Sequence, residues 1–282
     1  MADDWSTPNV RPLLPAGTPQ PLEGLYRDAE LPTSGRFGPW VYANFVATLD
    51  GRIAMTDPAT GRFGVTEAIG DPRDWRLFQE LAARADVVLT SGRYLRDLRL
   101  GTAQDVLPLS SRSAFQDLRQ WREAQGLATH PDVAVLSTSL AFELPDALFR
   151  QGRSVTVLTT SGADPVARAR HEAAGARVVA VNDGDAVDGV APAPHQGESG
   201  YQRANSVTGP YVLHALLQAG ALDSLFITQR HRIVAGGGYS TIAEGAPLAP
   251  PVDLRLEWLY LDEAPGSAQQ QFARFIPEYP RA

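Results

Sequence analysis

The chain has 282 residues, 44% of them hydrophobic and 20% charged, with a formal net charge of −7. This composition suits a globular fold built as one domain or as two small ones. Cysteine is absent and all 25 basic residues are arginine, which excludes thiol nucleophiles, disulfides, iron–sulfur clusters, and Schiff-base or phosphate-loop lysines.

The charge and hydropathy patterns also exclude two kinds of partner. The arginines are scattered along the chain, so we expect no nucleic-acid partner. No apolar run approaches the roughly 20 residues that a membrane-spanning helix needs, so we expect no membrane partner. The first residues, MADDWSTPNVRP, have neither the basic start nor the apolar centre of a signal peptide. We therefore expect a soluble cytoplasmic protein.

Composition divides the chain into an arm, a domain and a tail. Residues 1–40 contain seven prolines, which favours an extended arm with little secondary structure, laid over the surface or over a partner subunit. From residue 41 strand-like and helix-like segments alternate. We assign residues 41–264 to one domain and residues 265–282 to a C-terminal tail.

The alternation predicts an α/β fold with a mostly parallel central sheet flanked by helices, in which the late strands pair antiparallel. Asp-Pro pairs at 71–72 and 164–165 are typical helix starts, and Gly175 and Gly220 are typical helix ends. The predicted strands cover 41–47, 86–91, 132–137, 154–159, 177–181, 204–207, 222–230, 232–237 and 254–263. The predicted helices cover 71–85, 111–125, 164–175 and 208–220, and residues 183–203 are predicted to be a loop.

Small and hydroxylated residues follow several of these strands. Ligands of open α/β sheets bind beyond the carboxyl ends of the strands. The segments found there are TSGRY (90–94), TTSGAD (159–164) and VTGPYV (207–212), and Gly209 at a helix start would let a phosphate approach backbone N–H groups. Asp50-Gly51 ends the first strand, and AGGGYST (235–241) is a second glycine cluster. Taken singly, each segment is also compatible with an ordinary structural role, and Asp50-Gly51 and the 235–241 cluster are more typical of a turn or loop than of a site.

Other catalytic motifs are absent. The five histidines are dispersed and no pair has the spacing of a zinc motif, so no metal site is predicted. A GxSxG hydrolase elbow is missing, as is a GxGxxG fingerprint after the first strand.

The segments ATLDGRIA, TSGRYLRD, TTSGAD and SVTGPYVLHALLQAGALDSLFIT occur in an informative order. Together they resemble the reductase domain of bifunctional riboflavin biosynthesis deaminase-reductases, over about residues 36 to 263. This resemblance implies a dihydrofolate-reductase-like α/β fold and a homodimer. It also implies an NADPH-dependent reductase that transfers hydride to a small-molecule substrate, in the family a ribosylamino-pyrimidine phosphate.

The resemblance also implies a site. The cofactor diphosphate would lie at the start of the 208–220 helix, the nicotinamide near Ala47, and the adenosine 2′-phosphate beside Thr160 and Ser161. Asp50 would be the catalytic residue, assisting protonation or holding the substrate. The implied NADPH site comprises Ala47, Thr66, Ser91, Gly92, Tyr94, Thr160, Ser161, Gly209, Pro210, Tyr211, Val212 and Gly237. The implied substrate site comprises Asn44, Thr48, Arg62, Arg93, Arg96 and Arg99, with the last three binding an anionic group through guanidinium forks.

The chain departs from the family pattern at several positions. Asn44 stands where the riboflavin enzymes usually carry Lys, Val207 where they carry Glu, and Tyr94 where they carry Thr. Three hypotheses follow. The chain is an NADPH-dependent reductase of a pyrimidine or another small heterocycle, a non-catalytic nucleotide-binding member of the same fold, or an unrelated α/β enzyme.

Overall fold

The computed structural model describes residues 9–100, 109–110, 112–183, 200–263 and 269–280. The strands are β1 (Val10–Leu14), β2 (Trp40–Thr48), β3 (Ala54–Thr56), β4 (Phe63–Gly64), β5 (Val87–Ser91), β6 (Asp132–Leu136), β7 (Val155–Thr160), β8 (Arg177–Asn182), β9 (Arg203–Ser206), β10 (Ser224–Arg230), β11 (Tyr239–Ser240), β12 (Asp253–Asp262) and β13 (Gln270–Glu278). The helices are α1 (Pro72–Arg84), α2 (Gly92–Arg99), α3 (Gln116–Ala124), α4 (Asp146–Arg150), α5 (Pro165–Ala173) and α6 (Pro210–Gln218).

One large sheet organises the described residues, with strand order β1-β12-β13-β10-β2-β9-β5-β6-β7-β8. The strands from β10 to β8 pair parallel, whereas β13, β12 and β1 pair antiparallel at one side. The mostly parallel sheet with antiparallel late strands was predicted from the sequence and is confirmed. The strands β11, β3 and β4 form a second, three-stranded sheet in that order, which is not hydrogen-bonded to the large one.

The large sheet is covered on both faces, as its nearly continuous apolar strands require. On the first face, which we call the α6 face, Ala43 and Phe45 of β2 belong to the same buried cluster as Leu213 of α6. On the second face, the α1 face, Tyr42 of β2 packs in a cluster with Leu77 of α1. Since side chains alternate along a strand, Val88 and Asn205, which are in register with each other, lie on the α1 face as well.

The predicted helix starts have the expected cause. The Asp71 side chain accepts a hydrogen bond from the Arg73 N–H with Pro72 in the first turn, and Asp164 caps α5 in the same way. The loop predicted for 183–203 lies mostly outside the described residues, as does Ser111 at the start of the predicted 111–125 helix. In place of one continuous helix over 111–125, the structure has a 3₁₀ turn at Ser113–Phe115 followed by α3.

The prediction of a strand at residues 232–237 was wrong. Its segment runs without regular structure between β10 and β11. Ala235 and Gly236 have φ values of +59° and +87°, and this left-handed backbone is incompatible with an extended strand.

The structure also corrects the prediction of a C-terminal tail at residues 265–282. Within it, β13 pairs on one side with β10 and on the other with β12, so it is an internal strand of the sheet. Phe272 of β13 is fully buried in the cluster of the α1 face. The domain therefore continues past residue 264.

The described part of the arm, residues 9–40, packs on its own domain. β1 pairs with β12 of the same chain, and Tyr26 is fully buried. The buried carboxylate of Glu80 in α1 accepts hydrogen bonds from the backbone N–H groups of Gly24, Tyr26 and Arg27 at 2.7–3.0 Å. The arm was expected to have little secondary structure; instead it supplies an edge strand and a fixed layer over α1.

Candidate active site

The parallel strands bring most of the predicted site segments to one edge of the sheet. The carboxyl ends of β2, β9, β5 and β7 point the same way, which places the segments beginning at Thr48, Val207, Ser91 and Thr160 along that edge. From β2 to β7 there are four strand-to-strand steps of about 4.8 Å, or about 19 Å in all. We call this the carboxyl edge; its length suits an extended ligand.

The start of α6 is open. Gly209 occupies the N-cap position without a side-chain hydrogen bond to the helix, and a Cβ added there would meet nothing within 4 Å. Pro210 fills the first turn, and Tyr211 is 62% exposed. A helix N-terminus of this kind favours an anion, because its backbone N–H groups and its dipole both attract negative charge.

Asp50 is held by several donors. The Thr48 hydroxyl donates to its Oδ1 atom at 2.5 Å, and the Ala235 N–H donates to Oδ2 at 2.9 Å. Arg52 forms an ion pair with it, and the Val234 N–H adds a contact at 3.3 Å. The hydrogen bond from Thr48, followed by that from Ala235, lowers the pKa of Asp50. These surroundings favour the charged form of the Asp50 carboxylate, and its catalytic role stays a prediction.

Arg52 completes an anchor for the glycine-rich loop. Its guanidinium donates to the Gly236 carbonyl at 2.8 Å and lies 4.2 Å from the centre of the Tyr239 ring. We call Asp50 and Arg52 together the loop anchor. It holds residues 234–239 beside the end of β2, with Gly237 in open space. Sequence reasoning missed Arg52, although it lies two residues after Asp50.

The predicted residues after β5 have structural partners. The Ser91 side chain caps α2 by accepting from the Tyr94 N–H at 3.3 Å. A Cβ on Gly92 would lie 2.7 Å from the Phe142 ring, so only glycine fits there without a shift. Tyr94 packs against the apolar cluster between the sheet and α2, so its ring is part of that packing.

The remaining predicted residues differ in exposure and partners. Thr160, at the end of β7, is buried, whereas Ser161 is exposed and its N–H donates to the Asn182 carbonyl. Ala47 is buried in the cluster of the α6 face. The Thr66 hydroxyl is buried without a hydrogen-bond partner, and Arg62 is exposed after β3.

The three arginines of α2 make separate contacts. Arg96 donates to the Ala141 carbonyl at 3.2 Å, and Arg99 pairs with Glu143 at 3.2 Å. Arg93 is 3.9 Å from Asp97. These contacts do not gather the three guanidinium groups around one anion, as the predicted substrate clamp would require.

Several polar groups on the α1 face near the carboxyl edge have no hydrogen-bond partner. Asn44 is partly buried with an unpartnered Oδ1 atom. Asn205 and Thr90 are fully buried, and both amide atoms of Asn205 and the hydroxyl of Thr90 are unpartnered. Sequence reasoning missed Asn205 and Thr90, because polar residues in a short strand do not reveal whether they are paired.

Family comparison identifies the chain. The RibD C-terminal domain family matches residues 39–259. The chain belongs to the RibD C-terminal domain family. This confirms the resemblance found in the sequence, and the solved structures below share the α/β fold. No curated protein matches the chain in sequence.

Solved structures share the fold at low sequence identity. A pyrimidine reductase-like protein of Corynebacterium diphtheriae superposes with a TM-score of 0.65 at 18% identity, over 92% of this chain and 99% of that one. Acinetobacter baumannii RibD gives 0.59 at 16% identity, over 86% of this chain and 59% of that one. The riboflavin biosynthesis reductase Rib7 of Saccharomyces cerevisiae gives 0.51 at 16% identity, over 87% and 92% of the two chains.

Two kinds of feature are absent from the described residues. None of the helices there is long and apolar enough to span a membrane. The same residues contain no group of three or more His, Asp or Glu side chains that could hold a metal ion.

Proposed function

We propose that the chain is an NADPH-dependent reductase of the riboflavin-biosynthesis type. It binds the cofactor along the carboxyl edge and reduces a ribosylamino-pyrimidine phosphate or a related small heterocycle. The open N-terminus of α6 at Gly209 is the observation that carries this proposal. Membership of the RibD C-terminal domain family and the names of the structural neighbours support it.

The residues present fit a phosphorylated dinucleotide. The space beside Gly209 and the first turn of α6 would hold its diphosphate. Thr160 and the exposed Ser161 lie at the end of β7, on the carboxyl edge where the adenosine 2′-phosphate would reach. The Thr66 hydroxyl, buried and unpartnered, and the anchored loop with Gly237 would face the nicotinamide half.

The cofactor would supply a hydride, and the protein would supply orientation and a dry site. The loop anchor fixes the glycine-rich loop at the end of β2, where the two reacting carbons would meet. Asp50 thereby acts as a positioning residue. We also propose that the enzyme works as a homodimer, on the basis of the family resemblance.

Replacing Gly209 by Asp tests the cofactor site. Asp and Asn are both good N-caps, so Gly209→Asp and Gly209→Asn should fold as the parent does. Only Asp places a negative charge against the diphosphate. We expect Gly209→Asp to lower NADPH affinity at least about 100-fold, an electrostatic cost of about 2.7 kcal/mol, and Gly209→Asn to lower it less than about tenfold. NADPH fluorescence and tryptophan fluorescence report the binding.

Three outcomes separate the hypotheses. Equal affinity in both variants would show that the diphosphate binds elsewhere. No binding of NADPH to the parent protein at millimolar concentration would refute the reductase. Saturable NADPH binding with no substrate-dependent oxidation would favour the non-catalytic nucleotide-binding alternative, which the departures from the family pattern at Val207 and Tyr94 suggest.

A further inference from the structure

An open pocket of about 580 Å³ lies between the arm, the end of α1 and the antiparallel strands. We call it the arm pocket. It is lined by Ala29, Glu30, Leu31 and Pro32 of the arm, Arg84 of α1, Glu257 of β12 and Arg274 of β13. Its volume is in the range of small-molecule sites.

The arm pocket lies at the opposite end of the sheet from the carboxyl edge. The Arg274 guanidinium lies 5.3 Å from the centre of the Trp40 ring, and its Nε atom donates to the Ser224 hydroxyl at 3.2 Å. Trp40 begins β2, and Ser224 begins β10. Since β2 has nine residues, its start beside the pocket is about 26 Å from its end at Thr48. The pocket is therefore separate from the proposed NADPH site.

Two arginines of the pocket are buried, and within the described residues neither forms an ion pair with a carboxylate. Arg84 is 8% exposed and Arg274 is 7% exposed. The carboxylates whose charge acts on them are Asp28 and Glu257, but each of these pairs with a neighbouring arginine instead, at 2.8 Å and 2.6 Å. Burial lowers the pKa of both pocket arginines. A buried charge is costly unless it is paired, so both guanidinium groups favour an added anion.

Each guanidinium also keeps N–H donors that no described group accepts. The Nη1 atom of Arg84 donates to three backbone carbonyls of residues 26–29 at 2.5–3.3 Å. Its Nε atom is buried without a partner, and its Nη2 atom makes no hydrogen bond within the described residues. Arg274 uses Nε for the serine hydroxyl, which leaves Nη1 and Nη2. These remaining donors match the oxygens of an oxyanion.

The two carboxylates of the pocket are more exposed than its arginines. Glu30 is exposed and Glu257 is partly exposed, so solvent screens their charge. Arg203 adds a third guanidinium beside the arm, where it donates to the carbonyls of residues 31 and 32, and its charge acts on Arg84. Positive charge therefore dominates the buried wall of the pocket, whereas negative charge is confined to the solvent side.

We propose that the arm pocket is a second ligand site, which binds a phosphate monoester with Arg84 and Arg274 holding the phosphate group. Two uncompensated positive charges match a doubly charged phosphate better than a singly charged carboxylate. Three phosphate oxygens accept the hydrogen bonds that the two guanidinium groups still offer. A phosphate fills only part of the pocket, and the rest of the ligand would lie against Leu31 and Pro32.

Inorganic phosphate tests the arm pocket. It is titrated by calorimetry or ³¹P NMR at pH 8 and constant ionic strength, with acetate as the singly charged comparison. Because the start of α6 is itself expected to bind phosphate, the titrations use the Gly209→Asp protein. Arg274→Gln is added to it, and Arg150→Gln is the matched control because it removes the same charge from a side chain of α4 that is 73% exposed.

We expect the Gly209→Asp protein to bind one phosphate per chain, at least about tenfold more tightly than acetate. Adding Arg274→Gln should weaken phosphate binding at least about tenfold, because it removes a charged donor. Arg150→Gln should change the affinity less than about twofold. Adding Glu30→Gln removes a carboxylate from the solvent side of the pocket and should tighten phosphate binding severalfold.

The proposal is overturned if the Gly209→Asp protein does not bind phosphate saturably, if it binds acetate as tightly, or if a folded Arg274→Gln variant binds phosphate as well as it did before the change. If circular dichroism shows that Arg274→Gln does not fold, Glu30→Gln decides in its place. Unchanged or weaker phosphate binding in Glu30→Gln would show that the ion lies elsewhere. NADPH titration of the unmodified protein reports on the carboxyl edge, so failure at one site leaves the test of the other intact.

Discussion

The buried carboxyl group of Asp74 makes stability depend on pH in a way that can be calculated. Asp74 lies in the first turn of α1, is 6% exposed, and faces Thr228 and Arg230 of β10. Burial raises its pKa from 3.8 to about 7; Asp71 adds to this effect, while Thr228 and Arg230 oppose it.

The sign follows from proton linkage. The folded chain binds the Asp74 proton more tightly than the unfolded chain does. The contribution of this proton to the free energy of unfolding is therefore fully present below pH 3.8. It is lost as the pH rises towards 7. A pKa difference from 3.8 to about 7, at 1.36 kcal/mol per unit, corresponds to about 4 kcal/mol lost between pH 3 and pH 8. From pH 5 to pH 8 the expected loss is about 2–3 kcal/mol.

Asp74→Asn removes this titration. Any constant effect of the Asn amide cancels when the difference between variant and parent is compared at two pH values. We expect the variant to gain about 2–3 kcal/mol relative to the parent between pH 5 and pH 8, measured as free energy of unfolding in urea. The exposed Asp253→Asn is the control and should differ by less than about 0.5 kcal/mol at either pH. A difference for Asp74→Asn that is the same at both pH values would refute the reasoning.

Two further predictions test the loop anchor and β13. Asp50→Asn removes the ion pair with Arg52, so we expect amide hydrogens of residues 232–240 to exchange about tenfold faster; unchanged exchange would show that other contacts hold the loop. A chain ending at Glu263 lacks β13 and the buried Phe272, whose loss alone costs about 3–5 kcal/mol, so circular dichroism should show it unfolded at 25 °C. A chain ending at Pro280 is the control, and a folded chain ending at Glu263 would show that β13 is dispensable.

The sequence was most informative where local pattern and topology agree. Asp-Pro pairs located α1 and α5 because helix capping is a local interaction. Alternation of strands and helices predicted a parallel sheet, and that geometry alone places the ends of β2, β5, β7 and β9 on one edge. The location of the candidate site at the carboxyl edge followed from this without knowledge of any side-chain contact.

Sequence was least informative where the partner of a group is distant along the chain. β13 pairs with β10, about 45 residues earlier, and the segment EAPGSA before it resembles the start of a tail. The role of Asp50 depends on N–H groups 184 and 185 residues away. In the sequence alone, a carboxylate at the end of a strand is a candidate general acid. The structure shows that this carboxylate binds Arg52 and the glycine-rich loop.

The charged side chains near the carboxyl edge hold backbone segments in place. Asp50 and Arg52 are committed to the glycine-rich loop, and Arg230 to the Ile69 and Gly70 carbonyls before α1. These contacts fix the glycine-rich loop and the turn before α1, so the local geometry beyond β2 depends on partners that are distant along the chain.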